Sequence, residues 1–354
     1  MKKKLFDYNL LYIGDYFKGS ISSHRMLYLK KIFKNVHLIN YDNFTKNLTG
    51  IKRKIFFRYP FGSILETINL NILETVKKKN INIIWFDKPI FIKKRTIEIL
   101  KNNKVFLIDY TVDNPFGDRN HPVWHLYKKI INKFDINLVP RKSSIIDYRK
   151  KKCKNIYYYP LAYSKSLHFQ PNKYIKKSID ISFVGSPYTN RAAVIEELFL
   201  KHNIKVNING NLEFWKKKLS YNVFKKLKVK SEIYNNNYRA KVWKSKINIS
   251  FTSTDNHDEY PERILQIIMS GGFCLHQVLP NDRFKLLKKG YEVETFQNVD
   301  ELANKIKYYL NNKKKRLIIN KNGIKKISKL KLESNFLLLN FFKKNLKYIN
   351  KIIY

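Results

Sequence analysis

The chain has 354 residues, 44% hydrophobic and 15% aromatic, and its 71 Lys and Arg against 27 Asp and Glu leave a net charge of +44. That much apolar and aromatic material excludes a disordered tail and suffices for two packed cores of ordinary domain size. The charge invites nucleic acid or an anionic membrane. Against nucleic acid, the lysines are scattered along the chain without zinc-finger spacing, an RNP-like aromatic strand or a helix-turn-helix pattern.

The N-terminus begins with three lysines after Met1, but Asp7 and Asn9 interrupt the apolar residues beyond them. No run approaches the ~20 apolar residues of a membrane span. A cytoplasmic protein is expected, with peripheral contact to the inner membrane face allowed by its charge. Cys153 and Cys274 lie far apart, in no CxxC pair and near no His at zinc spacing, which suits a reducing compartment.

Short β-rich runs occur at 8–14, 36–41, 81–86, 105–110, 136–139 and 156–159. Helix-length stretches at 23–33, 64–79, 93–102 and 123–134 separate them. Alternation of this kind implies a parallel sheet with right-handed crossovers. After a polar, aperiodic segment the pattern restarts, with strands at 180–185, 204–208, 247–252, 273–278 and 291–296. Helices are expected at 191–201, 261–270, near 283–288 and at 300–310, and the chain reads as helix after Lys313. The expected organisation is an α/β protein: a Rossmann-like domain over 1–163, a hinge at 164–178, a second Rossmann-like domain over 179–330, and a helix over 331–354 packing back on the body. The basic, apolar-striped 335–354 stretch has a membrane-surface helix as its alternative reading.

In open parallel sheets, ligands bind beyond the carboxyl ends of strands. Two such domains facing each other would enclose a cleft. The clearest site is Phe251–Gly272, FTSTDNHDEYPERILQIIMSGG, where a strand runs into a polar loop and then a helix. Pro261 suits the helix start, and Arg263, Gln266 and Ser270 share a polar face. The free amides of a helix N-terminus, together with the Arg263 guanidinium, form the outline of a diphosphate cradle, with Ser253 and Thr254 in the loop. Gly271 and Gly272 would end the helix and allow close backbone approach. An ordinary βα turn with a surface Arg is the plainer reading of the same residues.

The segment YPERILQIIMSGGFCLHQ resembles the donor-binding motif of CgeB-like glycosyltransferases, the "group 1" set. Downstream, KKGYEVETFQNVDELANKIKYYLNN resembles the stretch that comes after that motif. Upstream, IDISFVGSPYTNRAAVIEEL resembles the opening of the donor domain. The resemblance covers roughly the C-terminal half. It implies the GT-B arrangement of two facing Rossmann-like domains and a nucleotide-sugar donor as co-substrate, with no bound cofactor. Arg263 would meet the donor diphosphate, and Gly185 and Arg191 would border the sugar phosphate. Gln266 stands where the family commonly has a Glu that accepts the ribose hydroxyls, and Glu262 is an alternative carboxylate.

The first domain offers Gly14 and Asp15, then SISSHR with Arg25, as a looser match to the acceptor-side loop of such enzymes. Asp113, Asp15 and His24, in that order, are the candidates for a base that takes the acceptor proton. The DNHDE loop over 255–259 carries donor atoms without the spacing of a calcium or zinc site, so no metal is expected. The expected reaction is sugar transfer to a glycan, lipid-linked or protein acceptor in surface polysaccharide assembly. Two rivals stand beside it: a charge-driven nucleic-acid binder, and a non-catalytic relic of the same fold that binds nucleotide without turnover.

Overall fold

The computed structural model describes residues 6–17, 19–117, 121–253, 256–279 and 284–354. They divide into two compact units, one formed by 1–160 with 335–354 and the other by 161–334.

The first unit opens with β1 (Phe6–Gly14), α1 (Ile21–Ile32) and β2 (Phe33–Asn40). Next come α2 (Asp42–Thr45), α3 (Gly50–Arg58), α4 (Gly62–Lys79), β3 (Ile83–Asp87), α5 (Lys94–Asn102) and β4 (Phe106–Tyr110). It continues with α6 (His125–Ile130), β5 (Ile136–Val139), α7 (Ser144–Lys150) and β6 (Ile156–Tyr158). The stretch expected as one helix over 123–134 is α6 flanked by two 3-10 turns. All pairings are parallel, in the order β2-β1-β3-β4-β5-β6. Strands such as Ile83–Asp87 are buried throughout, as expected for a sheet covered on both faces. One face packs Ile13, Ile84 and Leu107 against Ile68 and Ile72 of α4, Ile97 of α5 and Tyr127 of α6.

The second unit contains β7 (Ile179–Val184), α8 (Arg191–His202), β8 (Asn207–Asn209), α9 (Leu212–Lys218), α10 (Tyr221–Leu227), α11 (Asn235–Lys244) and β9 (Ser245–Ser250). It ends with α12 (Glu262–Met269), β10 (Cys274–Gln277), β11 (Glu294–Phe296), α13 (Val299–Asn311) and α14 (Lys313–Leu330). Its sheet, also parallel, runs β11-β10-β9-β7-β8. Leu198 of α8, Trp215 of α9 and Leu302 and Ile306 of α13 pack with Ile247 and Ile249.

The last helix, α15 (Ser334–Ile353), returns to the first unit and covers the sheet's other face. Leu338, Phe341, Phe342 and Ile349 are buried there with Tyr12, Phe33 and Trp85. Phe342 meets Phe33 edge-on, with centroids 4.7 Å apart. The apolar stripe that suggested a membrane helix is thus largely covered by this packing.

Residues 164–178, read as a hinge, lie inside the second unit. Arg239 Nη1 donates to the Leu167 carbonyl at 2.8 Å and Trp243 Nε1 to that of Phe169 at 3.1 Å. Residues 284–288 of the helix expected near 283–288 are irregular, and Arg283 lies outside the described residues. Gly290, at φ 71°, and the Glu292 carboxylate on the Lys288 amide at 2.8 Å hold a turn there instead. The described residues contain no helix long and apolar enough to cross a membrane. Both cysteines are buried thiols.

Candidate functional site

In each sheet the chain order reverses once, and the crevice at that point is where such folds bind ligands. In the second unit the reversal falls between the neighbouring strands β7 and β9.

Gly185 comes directly after β7, and its carbonyl accepts a hydrogen bond from Trp215 Nε1 at 3.0 Å. The contact passes over Gly210, where a Cβ would lie 2.3 Å from the Gly185 oxygen and 2.5 Å from Trp215 Nε1. Arg191 is the first residue of α8, and its Nη1 donates to the Ser186 carbonyl at 3.1 Å. Its buried Nε has no hydrogen-bond partner.

After β9, Ser253 is half-buried in the loop, and Thr254 lies outside the described residues. Pro261 takes the N-cap position of α12 rather than its first turn, so Glu262 opens the helix. Arg263 lies over the Tyr238 ring, Cζ to centroid 4.6 Å, and its Nη1 donates to Gln266 Oε1 at 2.9 Å. Gln266 Nε2 in turn donates to Glu262 Oε1 at 2.7 Å. The amide therefore bridges a guanidinium and a carboxylate, each about one helical turn away. Burial, and then the nearby charge of Arg263, lower the pKa of Arg191. Two guanidiniums and the N-terminus of α12 thus meet at one crevice, an arrangement suited to a dianion.

Gly271 and Gly272 do not belong to this crevice. They lie past the other end of α12, ~12 Å along the axis at 1.5 Å per residue. A Cβ on Gly272 would come 2.4 Å from Val242 Cγ1, and the Gly272 carbonyl accepts from Asn320 Nδ2 at 2.7 Å. Gly271, at φ 81°, makes a left-handed turn that few other residues tolerate. Gly272 lets the helix end pack closely, and Gly271 lies on the wall of a cavity at this end of the helix.

In the first unit the reversal falls between β1 and β3. A Cβ on Gly14 would sit 2.8 Å from both Cβ and O of Asp87, so glycine is what allows the two strand ends to meet. Asp87 is buried and accepts from Ser22 Oγ at 2.7 Å, from Arg25 Nη1 at 2.5 Å and from the Tyr12 hydroxyl. Arg25 Cζ also lies 4.3 Å from the Tyr110 ring centroid. Arg25, expected on the acceptor side, is buried beneath the crevice and holds Asp87 there.

Asp15 reaches solvent at the crevice mouth; crowding raises its pKa through burial, with Lys88 opposing. Asp113 pairs with Lys88 Nζ at 2.6 Å, and that ammonium lies 5.4 Å from the Trp124 ring centroid. His24 is half-buried in the first turn of α1, whose cap is the Ser20 hydroxyl accepting from the Ser23 amide at 3.0 Å. Asp87, Lys88 and Asp15 are mutually coupled by charge, so these groups share one locality. The sequence pattern places Asp87 and Asp113 at strand ends but does not single out Lys88. Its left-handed backbone, at φ 60°, has no sequence signal at a lysine. Tyr238 escapes the same reasoning, because the Asn-rich run before it reads as loop. Among the described residues, no three His, Cys, Asp or Glu side chains are grouped to hold a metal.

The fold is that of GT-B proteins. A sucrose-phosphate synthase from Thermosynechococcus elongatus matches with a TM-score of 0.70 at 10% identity, covering 97% of this chain and 100% of that one. HepE from Anabaena, solved with UDP and glucose, matches at 0.67 and 10%, over 95% and 99% of the two chains. A candidate UDP-N-acetylglucosamine 2-epimerase from Listeria monocytogenes matches at 0.57 and 9%, over 98% and 97%. No curated protein is significantly similar in sequence. Residues 191–331, running from Arg191 through α12 to the end of α14, match the family model described as glycosyl transferase-like, so the part of the chain similar to that family is the part that carries both guanidiniums.

Proposed function

We propose that the protein is a glycosyltransferase whose second unit holds a nucleotide-sugar donor and whose first unit receives a glycan, lipid-linked or protein acceptor. The observation that carries this reading is the convergence of Arg191 and Arg263 at the β7/β9 reversal beside the N-terminus of α12. A diphosphate relieves the repulsion between them, and departing negative charge in the transfer falls on the same groups. The CgeB-like motif and the similarity over 191–331 support the donor role. The complex of HepE with UDP and glucose makes a uridine nucleotide the first donor to try.

In this reading, Ser253 and Thr254 line the donor loop, and Glu262 and Gln266 lie toward the ribose. Asp113, Asp15 and His24 are the candidate bases; the raised pKa of Asp15 suits a proton acceptor. The two guanidiniums and the helix dipole neutralise the diphosphate in place of a metal ion. A cytoplasmic setting, peripheral contact with an anionic membrane and a role in surface polysaccharide assembly belong to the same proposal.

The test is calorimetric titration of the whole chain with UDP, GDP, CDP and dTDP, comparing wild type with Arg263→Ala. The expected result is saturable binding of one nucleotide, weakened about tenfold or more by the substitution, since hydrogen bonds to charged groups contribute roughly 1.5–3 kcal/mol. Binding accompanied by nucleotide release from the matching nucleotide sugar supports transfer; binding without turnover supports the relic. No nucleotide binding, together with tight salt-sensitive binding to DNA or RNA, overturns the reading.

A further inference from the structure

The second unit has a second basic concavity, at the opposite end of its strands. It is a cavity of about 310 Å³. Lys176, Lys177, Lys246, Lys313 and Arg316 line it, with Tyr174, Phe273 and Leu317 as apolar wall. Lys177 precedes β7 and Lys246 is the second residue of β9, so the cavity lies at the strands' N-terminal ends. Gly185 and the Arg191–Arg263 crevice lie at the other ends, ~20 Å away at 3.3 Å per strand residue. This is therefore not an extension of the donor crevice.

Five cations line the cavity and no carboxylate does. Lys246 is paired with Asp180 at 2.6 Å. Buried Arg316 turns Nη1 onto the Tyr309 and Leu310 carbonyls, capping the end of α13, and the charge that opposes its own is that of Asp180, already paired with Lys246. Lys176, Lys177 and Lys313 have no carboxylate partner among the described residues. Burial, and then the charge of Arg316, push the Lys177 ammonium down to about 8. Lys313 opens the 18-residue helix α14, which adds the positive end of a helix dipole. Lys177 and Arg316 are desolvated like charges at this void, and Asp180 is the one carboxylate that opposes them among the described residues.

We propose that this cavity binds the phosphate group of a small phosphorylated molecule, with Lys177 and Lys313 as its principal cationic contacts and Tyr174, Phe273 and Leu317 against the organic part. The volume suits a small metabolite rather than a polymer. The site stands apart from the donor reading and does not depend on it.

The test uses the full chain in an Arg263→Ala background, so that anion binding at the other crevice is weakened. Inorganic phosphate, pyrophosphate and glucose 6-phosphate are titrated calorimetrically at constant ionic strength and pH 8. Saturable binding is expected, weakened at least about tenfold by Lys177→Gln with Lys313→Gln, in a variant whose unfolding midpoint is otherwise kept. Arg316 is left intact because it caps α13. Glucose 6-phosphate binding more tightly than inorganic phosphate supports a wall contact with the organic part; the reverse order overturns that part of the proposal.

A second readout uses protons. Free Lys177 is about half deprotonated at pH 8, facing Arg316, Lys176, Lys246, Lys313 and the paired Asp180. An anion restores its charge, so binding takes up a proton at pH 8 and less at pH 6.5, measured in buffers of different ionisation enthalpy. Lys177→Arg should keep binding and abolish the uptake. Absence of saturable binding to all three probes up to roughly 10 mM, or equal affinity in the double variant, overturns the site.

Discussion

Asp109 is fully buried in β4, where the charge of Asp87 reaches it, and its titration should be visible in the stability of the first unit. Its carboxyl accepts from Tyr127 OH at 2.6 Å, Asn137 Nδ2 at 3.1 Å and Thr111 Oγ1 at 3.0 Å. Burial outweighs these three donors and raises its pKa to about 6, against 3.8 ordinarily. Between those values the unfolded chain has released the proton while the folded chain still holds it, so stability falls as pH rises from about 4 to about 6 and is flat above. Roughly two units at 1.36 kcal/mol each make the loss about 3 kcal/mol at neutral pH. Asp109→Asn removes the charge and keeps the geometry. The amide oxygen takes the place of Oδ2, which receives Tyr127 and Asn137, and the NH₂ donates to a rotated Thr111 hydroxyl. The variant should be up to about 3 kcal/mol more stable at pH 7–8 and lose that advantage toward pH 4. Hydrogen exchange of the β4 and β5 amides, read across pH 4.5–8 in both proteins, measures this in the unit concerned. A variant less stable than wild type at pH 8, or a difference independent of pH, would refute the reasoning.

Gly210→Ala should destabilise the second unit by about 1–3 kcal/mol, because its Cβ would collide with backbone at Gly185 and with the Trp215 ring; denaturant dependence of hydrogen exchange at the β7 and β9 amides checks it, and an unchanged midpoint counts against the contact. Gln266→Glu should weaken nucleoside diphosphate binding roughly tenfold at low salt, because the new carboxylate would pair with Arg263 across the present 2.9 Å contact. Tighter binding would show instead that a carboxylate there serves the ribose.

Much of the fold is legible in the sequence because it rests on periodicity. Strand 136–139 has the bounds its apolar run suggests, and the buried runs at 83–87 and 106–110 agree to within two residues. Short helices are not legible. α9, α10 and α11 pack through one or a few residues, such as Trp215 and Val223, and their Lys- and Asn-rich surfaces read as loop. In the candidate site, Arg191 and Arg263 can be named because each stands at the start of a helix after a strand. Their proximity cannot, since 71 residues separate them. The place of Gly271 and Gly272 is hidden for a related reason: adjacency in a motif does not say that they lie at the opposite end of α12 from Arg263. The burial of Arg25 is equally hidden, because its partner Asp87 comes from a strand 62 residues away.

The charge divides in a way that composition conceals. Exposed lysines on separate helices contribute mainly to the long-range field, and salt screens them beyond about 10 Å. The cations that feel one another in partly desolvated places are few: Arg191 with Arg263 at one end of the second sheet, Lys177 with Arg316 at the other. In both places a buried cation is disfavoured by a second cation. Neutral Gln266 has a physical role here, since its carbonyl orients Arg263 without cancelling the charge and its amide holds Glu262 one turn back. A glutamate would neutralise the pair before any ligand arrived. A replacement that reads as decay in the sequence thus leaves the crevice more electropositive, and more demanding of a dianion, than the carboxylate would.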